Sequence, residues 1–385
     1  MKFLLRNKLV RYAIVPVIAF VLLVVLGGGW YFAGVLEEDG LRVDNAEPEN
    51  SVTVVALGDE TITLKLLPDA EEDALAISAR WGLSDGLNYG QLGAVLSDDD
   101  NGITREFNHK IGGFQVGDEL YLDRTASPHE PPLGTNYEEV VIPGQLGEFG
   151  GWYIPYEVGP GHPELESDVW AIFVHGRTSN RDTSIKLMNS GGIHSLVIDY
   201  RNDEGAPSSE SGYYDFGTTE WEDVEASVRY ALDHGAQNIV LVGYSMGGGI
   251  VVNYQLKSEL ADRTVGIFLD SPMLNFGRTV DKGAAERSVP PLITTVAKKF
   301  ASLRFGIDWE ALDFLSQADK IDVPVLLIHG DADDTVPIET SIEFAESSPH
   351  YVQLHAFKDV GHVATWNHHP LQYTTLFEDF VERVR

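Results

Sequence analysis

The chain has 385 residues, 43% of them apolar, so it is long enough for one large domain plus a smaller one and can bury a sizeable core. Its 59 acidic and 27 basic side chains give a formal net charge of −32, a field that repels polyanions and excludes nucleic acid as a partner. There is no cysteine, which removes disulfides, thiol catalysis and cysteine-bound zinc together.

Residues 1–11 form a basic flank carrying Lys2, Arg6, Lys8 and Arg11 without an acid, and residues 12–36 then run 25 positions without a charge. About 20 apolar residues cross a bilayer, so 12–36 is expected to be an uncleaved transmembrane signal anchor. A basic flank stays in the cytoplasm, which puts the bulk of the chain outside the cell membrane. A cleaved signal peptide is the rival reading: the run is long for one and lacks a good A-x-A site, but Gly27-Gly28-Gly29 and Ala33-Gly34 leave it open. Residues 37–50 are acidic and poor in apolar side chains, a tether.

Residues 51–136 read as a small β-rich domain followed by a linker. Apolar runs at 52–56 and 61–67 flank Gly58-Asp59-Glu60, a hairpin pattern. Short runs at 81–83, 92–96, 103–107 and 120–122 follow, and 127–132 is a proline-containing linker. His109 and Asp98-Asp99-Asp100 raise the thought of a metal, but a solvated turn is the better reading.

From residue 137 the alternation changes, and 137–385 reads as an α/β domain. A hairpin is expected over 139–143 and 151–158, followed by buried strands at 168–175, 195–200, 239–244, 265–269, 323–328 and 352–357. Helices are expected over 218–234, after Gly247, after Pro337 and after Pro370. In the first of these, Trp221, Val224, Val228 and Ala231 share one face at helical spacing, with Thr219 and Glu222 as a capping box and Gly235 as the stop. Nearly continuous apolar strands alternating with helices mean a mostly parallel sheet with helices on both faces. Residues 273–320 interrupt the pattern with Pro290-Pro291 and a cluster of Lys282, Arg287, Lys298, Lys299 and Arg304, and they are expected to cap the site. Their last part, 311–318, reads as helix.

Ligands and catalytic groups gather at the carboxyl ends of parallel strands. There the sequence carries Ser245 within Gly243-Tyr244-Ser245-Met246-Gly247, the acids Asp270, Asp331, Asp333 and Asp334, and His362 after Gly361. Serine, acid and histidine in that chain order are the order of a nucleophile-elbow hydrolase. A serine hydroxyl needs a base to take its proton, imidazole has the right pKa, and a buried carboxylate must hold the imidazole. The developing oxyanion needs two backbone donors, here Met246 and the residue after His175-Gly176, Arg177. His175 and His329, each in a strand-end His-Gly, read as packing or loop-orienting groups. His194, His355 and the pair His368-His369 lack the spacing of a site.

Gly-Tyr-Ser-Met-Gly at 243–247, His175-Gly176 after a strand, His329-Gly330-x-x-Asp333-x-x-Val336-Pro337 and Gly361-His362 together resemble the α/β-hydrolase superfamily, in particular its serine esterases, lipases and prolyl-oligopeptidase-like peptidases. The likeness covers roughly 140–385. It implies Ser245 as nucleophile, Asp333 as acid and His362 as base, with the oxyanion held by the N–H groups of Met246 and Arg177 and no cofactor or metal. The membrane segment, the β-rich region, Tyr200-Arg201-Asn202-Asp203 and Trp366-Asn367 are more narrowly similar to membrane-anchored actinobacterial α/β-hydrolases. Arg177 departs from the smaller residue often found at that position. The expected function is cleavage of a small-molecule or lipid-like ester. A peptidase, thioesterase or acyltransferase on the same groups is the alternative, and a non-catalytic surface binding protein on a hydrolase scaffold is the alternative of another class.

Overall fold

The computed structural model describes residues 8–43, 48–68, 70, 73–126, 135–156 and 168–385. The linker expected at 127–132, residues 1–7 of the basic flank and the end of the hairpin at 157–158 lie outside the described residues.

The uncharged run forms helix α1 (Lys8–Leu36), which ends in a wider turn over Glu37–Leu41. Its apolar side chains from Val15 to Val24 are exposed, which water does not favour. The face from Gly28 onward is covered. Residues 37–43, expected as tether, are instead docked on the α/β domain. Leu41 is buried, its carbonyl accepts from the Tyr214 N–H (2.9 Å), and Arg42 bridges to Tyr213. Leu41 and half-buried Val43 pack on the core, and Glu37 and Asp39 bond to Tyr213 and Arg287, which together seat this acidic stretch.

Six strands then close a small barrel: β1 (Val52–Leu57), β2 (Thr61–Leu66), β3 (Trp81–Ser84), β4 (Tyr89–Asp99), β5 (Gly102–Ile111) and β6 (Glu119–Asp123), in the order β1-β2-β5-β4-β3-β6. Alternation decides the inside: Val52, Val54, Ile62 and Leu64 are buried, and their neighbours are not. Asp98 and Asp99 end β4 at the exposed hairpin turn, and His109 lies against Phe107. Arg105 is fully buried in β5, where its guanidinium donates to the carbonyls of Ala74, Leu75, Ala79 and Gly93. Burial without a carboxylate pushes its pKa down to about 10.

The α/β domain holds an eight-stranded sheet of β7 (Glu138–Pro143), β8 (Glu148–Ile154), β9 (Val169–Val174), β10 (His194–Ile198), β11 (Asn238–Tyr244), β12 (Thr264–Asp270), β13 (Val325–Gly330) and β14 (Val352–Phe357). The order is β14-β13-β12-β11-β9-β10-β8-β7. The six strands from β9 on are parallel to one another, and the β7–β8 hairpin joins at one edge antiparallel. Every residue of β9 and β13 is buried, as two covered faces require.

Seven helices follow: α2 (Trp221–Asp233), α3 (Met246–Lys257), α4 (Phe276–Glu286), α5 (Pro291–Phe305), α6 (Ile338–Ser347), α7 (Thr365–His368) and α8 (Pro370–Val384). One face of the sheet packs on α2, α3 and α6 through Val224, Val228, Ile250 and Phe344. The other packs on α8 through Tyr373 and Phe377, and this core runs on into the barrel.

Two local expectations fail. The capping box at α2 does not form, because both partners have stronger ones. Thr219 Oγ1 donates to Asp215 (2.8 Å), and the Glu222 carboxylate accepts from Arg201 (2.9 Å). Buried Glu220, which precedes α2, makes no cap bond to the helix and instead closes the turn before it, accepting from the N–H groups of Asp215 and Gly217 (both 2.8 Å), and burial pushes its pKa up to about 7. Residues 311–318 are not an α-helix: a tight 3₁₀ turn runs over Leu315–Lys320, started by Asp313 accepting from the Ser316 N–H (3.3 Å).

Candidate active site

Ser245 stands between β11 and α3 with φ 51° and ψ −117°. For a residue with a β-carbon this region costs about 1–3 kcal/mol and persists only when its surroundings impose it. The surroundings are visible. The Ser245 N–H donates to Asp270 O (2.9 Å), and its carbonyl accepts from Met273 N–H (2.9 Å). The flanking glycines let backbones meet. A β-carbon at Gly243 would lie 2.7 Å from the Gly247 carbonyl, and one at Gly247 would run into the carbonyls of Val174 and His175.

His362 sits on the loop between β14 and α7. Its Nε2 is 2.8 Å from Ser245 Oγ, and its Nδ1 is 2.7 Å from Asp333 Oδ2. The partners assign the tautomer: Nδ1–H donates to the carboxylate, and Nε2 accepts from the hydroxyl. Asp333 follows β13 and is buried. Its Oδ1 accepts from the N–H groups of Thr335 (2.9 Å) and Val336 (2.7 Å), and Oδ2 takes a second imidazole, His329 Nε2 at 3.0 Å. Burial alone would raise the pKa of Asp333. The hydrogen bonds from His329 and His362 outweigh it and hold the carboxyl well below the usual range.

The competing acids are placed elsewhere. Asp331 is exposed and accepts from Asp359 N–H (2.6 Å), and Asp334 accepts from Thr335 Oγ1 (3.0 Å). Asp270 is fully buried beneath the elbow, where it accepts from Tyr373 (2.7 Å) and Ser271 (3.2 Å) and makes no hydrogen bond to His362. Burial pushes its pKa up, against the pull of Lys186.

Met246 is the first residue of α3, and the first N–H groups of a helix have no partner within it. The loop after β9 crosses directly over the serine: a β-carbon at Gly176 would lie 3.0 Å from Ser245 Cβ. That loop is braced by residues that carry no chemistry of their own. His175 Nδ1 donates to Gly176 O (2.9 Å) and Nε2 to Asp203 (2.9 Å), while Tyr200 stacks on the ring and its hydroxyl donates to His175 O (3.1 Å). Burial opposes a charge on His175, but Asp203 outweighs it and the pKa is raised. The side chains of His175, Asp199 and Asp203 come within 4.8 Å of one another. Asp203 is taken up by His175 and by Tyr200 N–H, and Asp199 faces Arg181 at 3.2 Å, so protein donors already fill these acceptors. His368 and His369 lie against Trp81 and Phe357 as packing rings.

Two cavities meet at the Ser245–His362 pair. The first, about 340 Å³, is lined by Ser245, Met246, Arg177, Met273 and α4 and α5 of the 273–320 segment, as well as by Phe32, Val35 and Leu36 of α1. The second, about 610 Å³, lies on the other side of His362 between its loop and the barrel, bordered by Leu66, Ala74 and Trp81. Asn367, buried, ties the two bodies together by donating to the carbonyls of Arg80 (2.7 Å) and Arg124 (2.9 Å). Of the basic cluster, Arg287 pairs with Asp39 (2.8 Å), Lys298 with Asp281 (2.6 Å) and Lys282 with Glu286 (3.1 Å).

A doubly covered parallel sheet with a serine on a strained strand-to-helix turn defines the class of the α/β hydrolases. The chain belongs to that family: the model described as "Alpha/beta hydrolase family" matches residues 171–374, more than half of its length. Among curated relatives, the human protein ABHD12B is 27% identical over 183 residues, 44% of this chain and 46% of that protein. Among solved structures, an esterase of Pyrococcus furiosus is 24% identical with a TM-score of 0.52, covering 66% of this chain and 92% of that one. An acylaminoacyl peptidase is 16% identical with a TM-score of 0.51, covering 87% of this chain and 56% of the peptidase. Both structural likenesses are likenesses of fold.

Proposed function

We propose that the protein is a serine hydrolase that cleaves a carboxylic ester through an acyl-enzyme on Ser245. The observation that carries this reading is the unbroken line from Ser245 Oγ through His362 to Asp333, at 2.8 and 2.7 Å, starting on a strained residue at a strand end. In this reading His362 Nε2 takes the hydroxyl proton as Ser245 Oγ bonds to the ester carbonyl carbon. The oxyanion rests on the N–H groups of Met246 and Arg177, a contribution of about 2.7–4 kcal/mol for each donor in comparable sites. Collapse breaks the C–O bond, and His362 returns the proton to the leaving alcohol. Water then repeats the sequence and frees the acid. Asp333 stays ionised throughout and stabilises the imidazolium.

The reading also places α1 across the cell membrane with the α/β domain outside, supported by the exposed apolar helix and its basic flank. Fluorophosphonate labelling tests the chemistry: wild type takes the label at Ser245 and Ser245→Ala does not. An unlabelled native wild type would rule out the enzyme. Protease added to intact cells tests the topology, with digestion of the α/β domain expected and protection until lysis the contrary result.

A further inference from the structure

The helix that carries the exposed apolar residues also builds the site. Val25, Gly28, Gly29, Phe32, Ala33 and Leu36 share one face of α1 by their spacing of three and four. That face lies on α5: β-carbons at Gly28 and Gly29 would sit 3.2 Å from Ile293 and 2.5 Å from Val296. Arg304 latches the pair, its guanidinium 4.3 Å over the Trp30 ring and donating to Trp30 O (2.9 Å), and Trp30 meets Phe300 edge-on at 5.5 Å. Beyond the latch, Phe32, Val35 and Leu36 line the 340 Å³ cavity that holds Ser245. The positions fit a bilayer. Some 20 residues at 1.5 Å each, counted from Tyr12, end near Tyr31, so exposed Trp30 and Tyr31 fall at the interface where such rings anchor helices. The cavity wall starts one residue later.

We propose that α1 is a wall of the ester site and that the substrate is a membrane-resident amphiphile whose acyl chain reaches Ser245 along α1 from the bilayer. The proposal rests on the serine-hydrolase reading, and it turns an anchor into a determinant of specificity. An ester that partitions into the bilayer has its chain within a few ångströms of the cavity. A short soluble ester gains nothing from this wall.

The full-length protein in phosphatidylcholine vesicles, with 4-nitrophenyl palmitate and acetate as probes, tests it. Val35→Trp narrows the cavity, and Phe32→Ala with Leu36→Ala widens it. The palmitate-to-acetate ratio of kcat/KM is expected to fall at least about ten-fold in the first and to shift in the second. A wild-type ratio in both variants, with Ser245 still labelled by fluorophosphonate, overturns the wall while leaving the hydrolase standing. An unlabelled wild type that cleaves neither ester defeats the hydrolase reading itself. Equal rates on vesicle-borne and albumin-borne palmitate ester overturn the bilayer as source. Docking has its own readout, because the chain lacks cysteine: Gly28→Cys with Ile293→Cys should cross-link within the active protein, and no cross-link overturns the packing. Recovery of the native protein with its first residue beyond Leu36 overturns the proposal outright.

Discussion

Asp333 is the side chain on which most converges. Each of its oxygens accepts two hydrogen bonds, so a carboxylate is satisfied there and an amide is not. Asp333→Asn is therefore expected to lower kcat about 10⁴-fold, as loss of the acid does in comparable triads, while Asp331→Asn changes it little. Equal losses in the two variants would mean that the carboxylate is misassigned. The depressed pKa also has a sign in stability. Its contribution is fully present above the ordinary carboxylate pKa and is lost as pH falls through the folded value. His175 works in the opposite direction, since its folded pKa is raised: its contribution is complete below about pH 6.5 and fades as pH rises through the folded value. Melting curves of wild type and His175→Gln should differ more at about pH 5.5 than at about pH 8.5. A gap independent of pH would show that His175 is not held as the imidazolium.

Each loop of the site is held by the element beneath it. The elbow depends on backbone meeting backbone, so Gly247→Ala should cost about 1–3 kcal/mol as its methyl meets two carbonyls on the β9 side, measured as a lower melting temperature. The strand-end His-Gly pairs were legible as loop-orienting groups from position alone. What position did not reveal was the partner in each case: Tyr200 and Asp203 from the loop after β10 for His175, and Ser341 from α6 for His329 (2.7 Å). Tyr200→Phe removes a donor to His175 O and should reduce turnover while Ser245 still takes a fluorophosphonate. A variant with wild-type kcat would show that the brace is dispensable. The capping box failed for a related reason. Thr219 and Glu222 have the right spacing, but Asp215, four residues upstream, and Arg201, from the loop after β10, bind them better.

Across the whole molecule, the barrel and α1 approach the Ser245–His362 pair from different sides. The barrel reaches the His362 loop through Asn367, and α1 reaches the first cavity through its last two turns. Asn367→Ala would remove the donor to the Arg80 and Arg124 carbonyls, a loss of about 0.5–1.5 kcal/mol per bond that should appear in the melting temperature. It should also change activity, since residue 367 lies five positions from His362. Unchanged stability would mean that the barrel contributes nothing to the loop. The acidic surface agrees with this layout, because the basic side chains around the first cavity are largely neutralised by neighbouring acids and do not present an anion-binding face.

Short-range chemistry was legible along the chain. A serine between glycines after an apolar run, a carboxylate in His-Gly-x-x-Asp and a histidine after glycine each follow a strand, and parallel strands present their carboxyl ends together. Burial of one face or of both was legible for the same reason, since period-2 alternation and continuous apolar runs record it directly. A long apolar helix was legible from 25 uncharged residues. Its place beside the Ser245 cavity was not, because helical spacing on an all-apolar segment does not say which face packs on the rest of the protein. Only the tertiary structure decided that Gly28 and Gly29 lie on α5 and that Phe32, Val35 and Leu36 face Ser245. These contacts join residues more than 200 positions apart, and local sequence carries no signal for such a pairing.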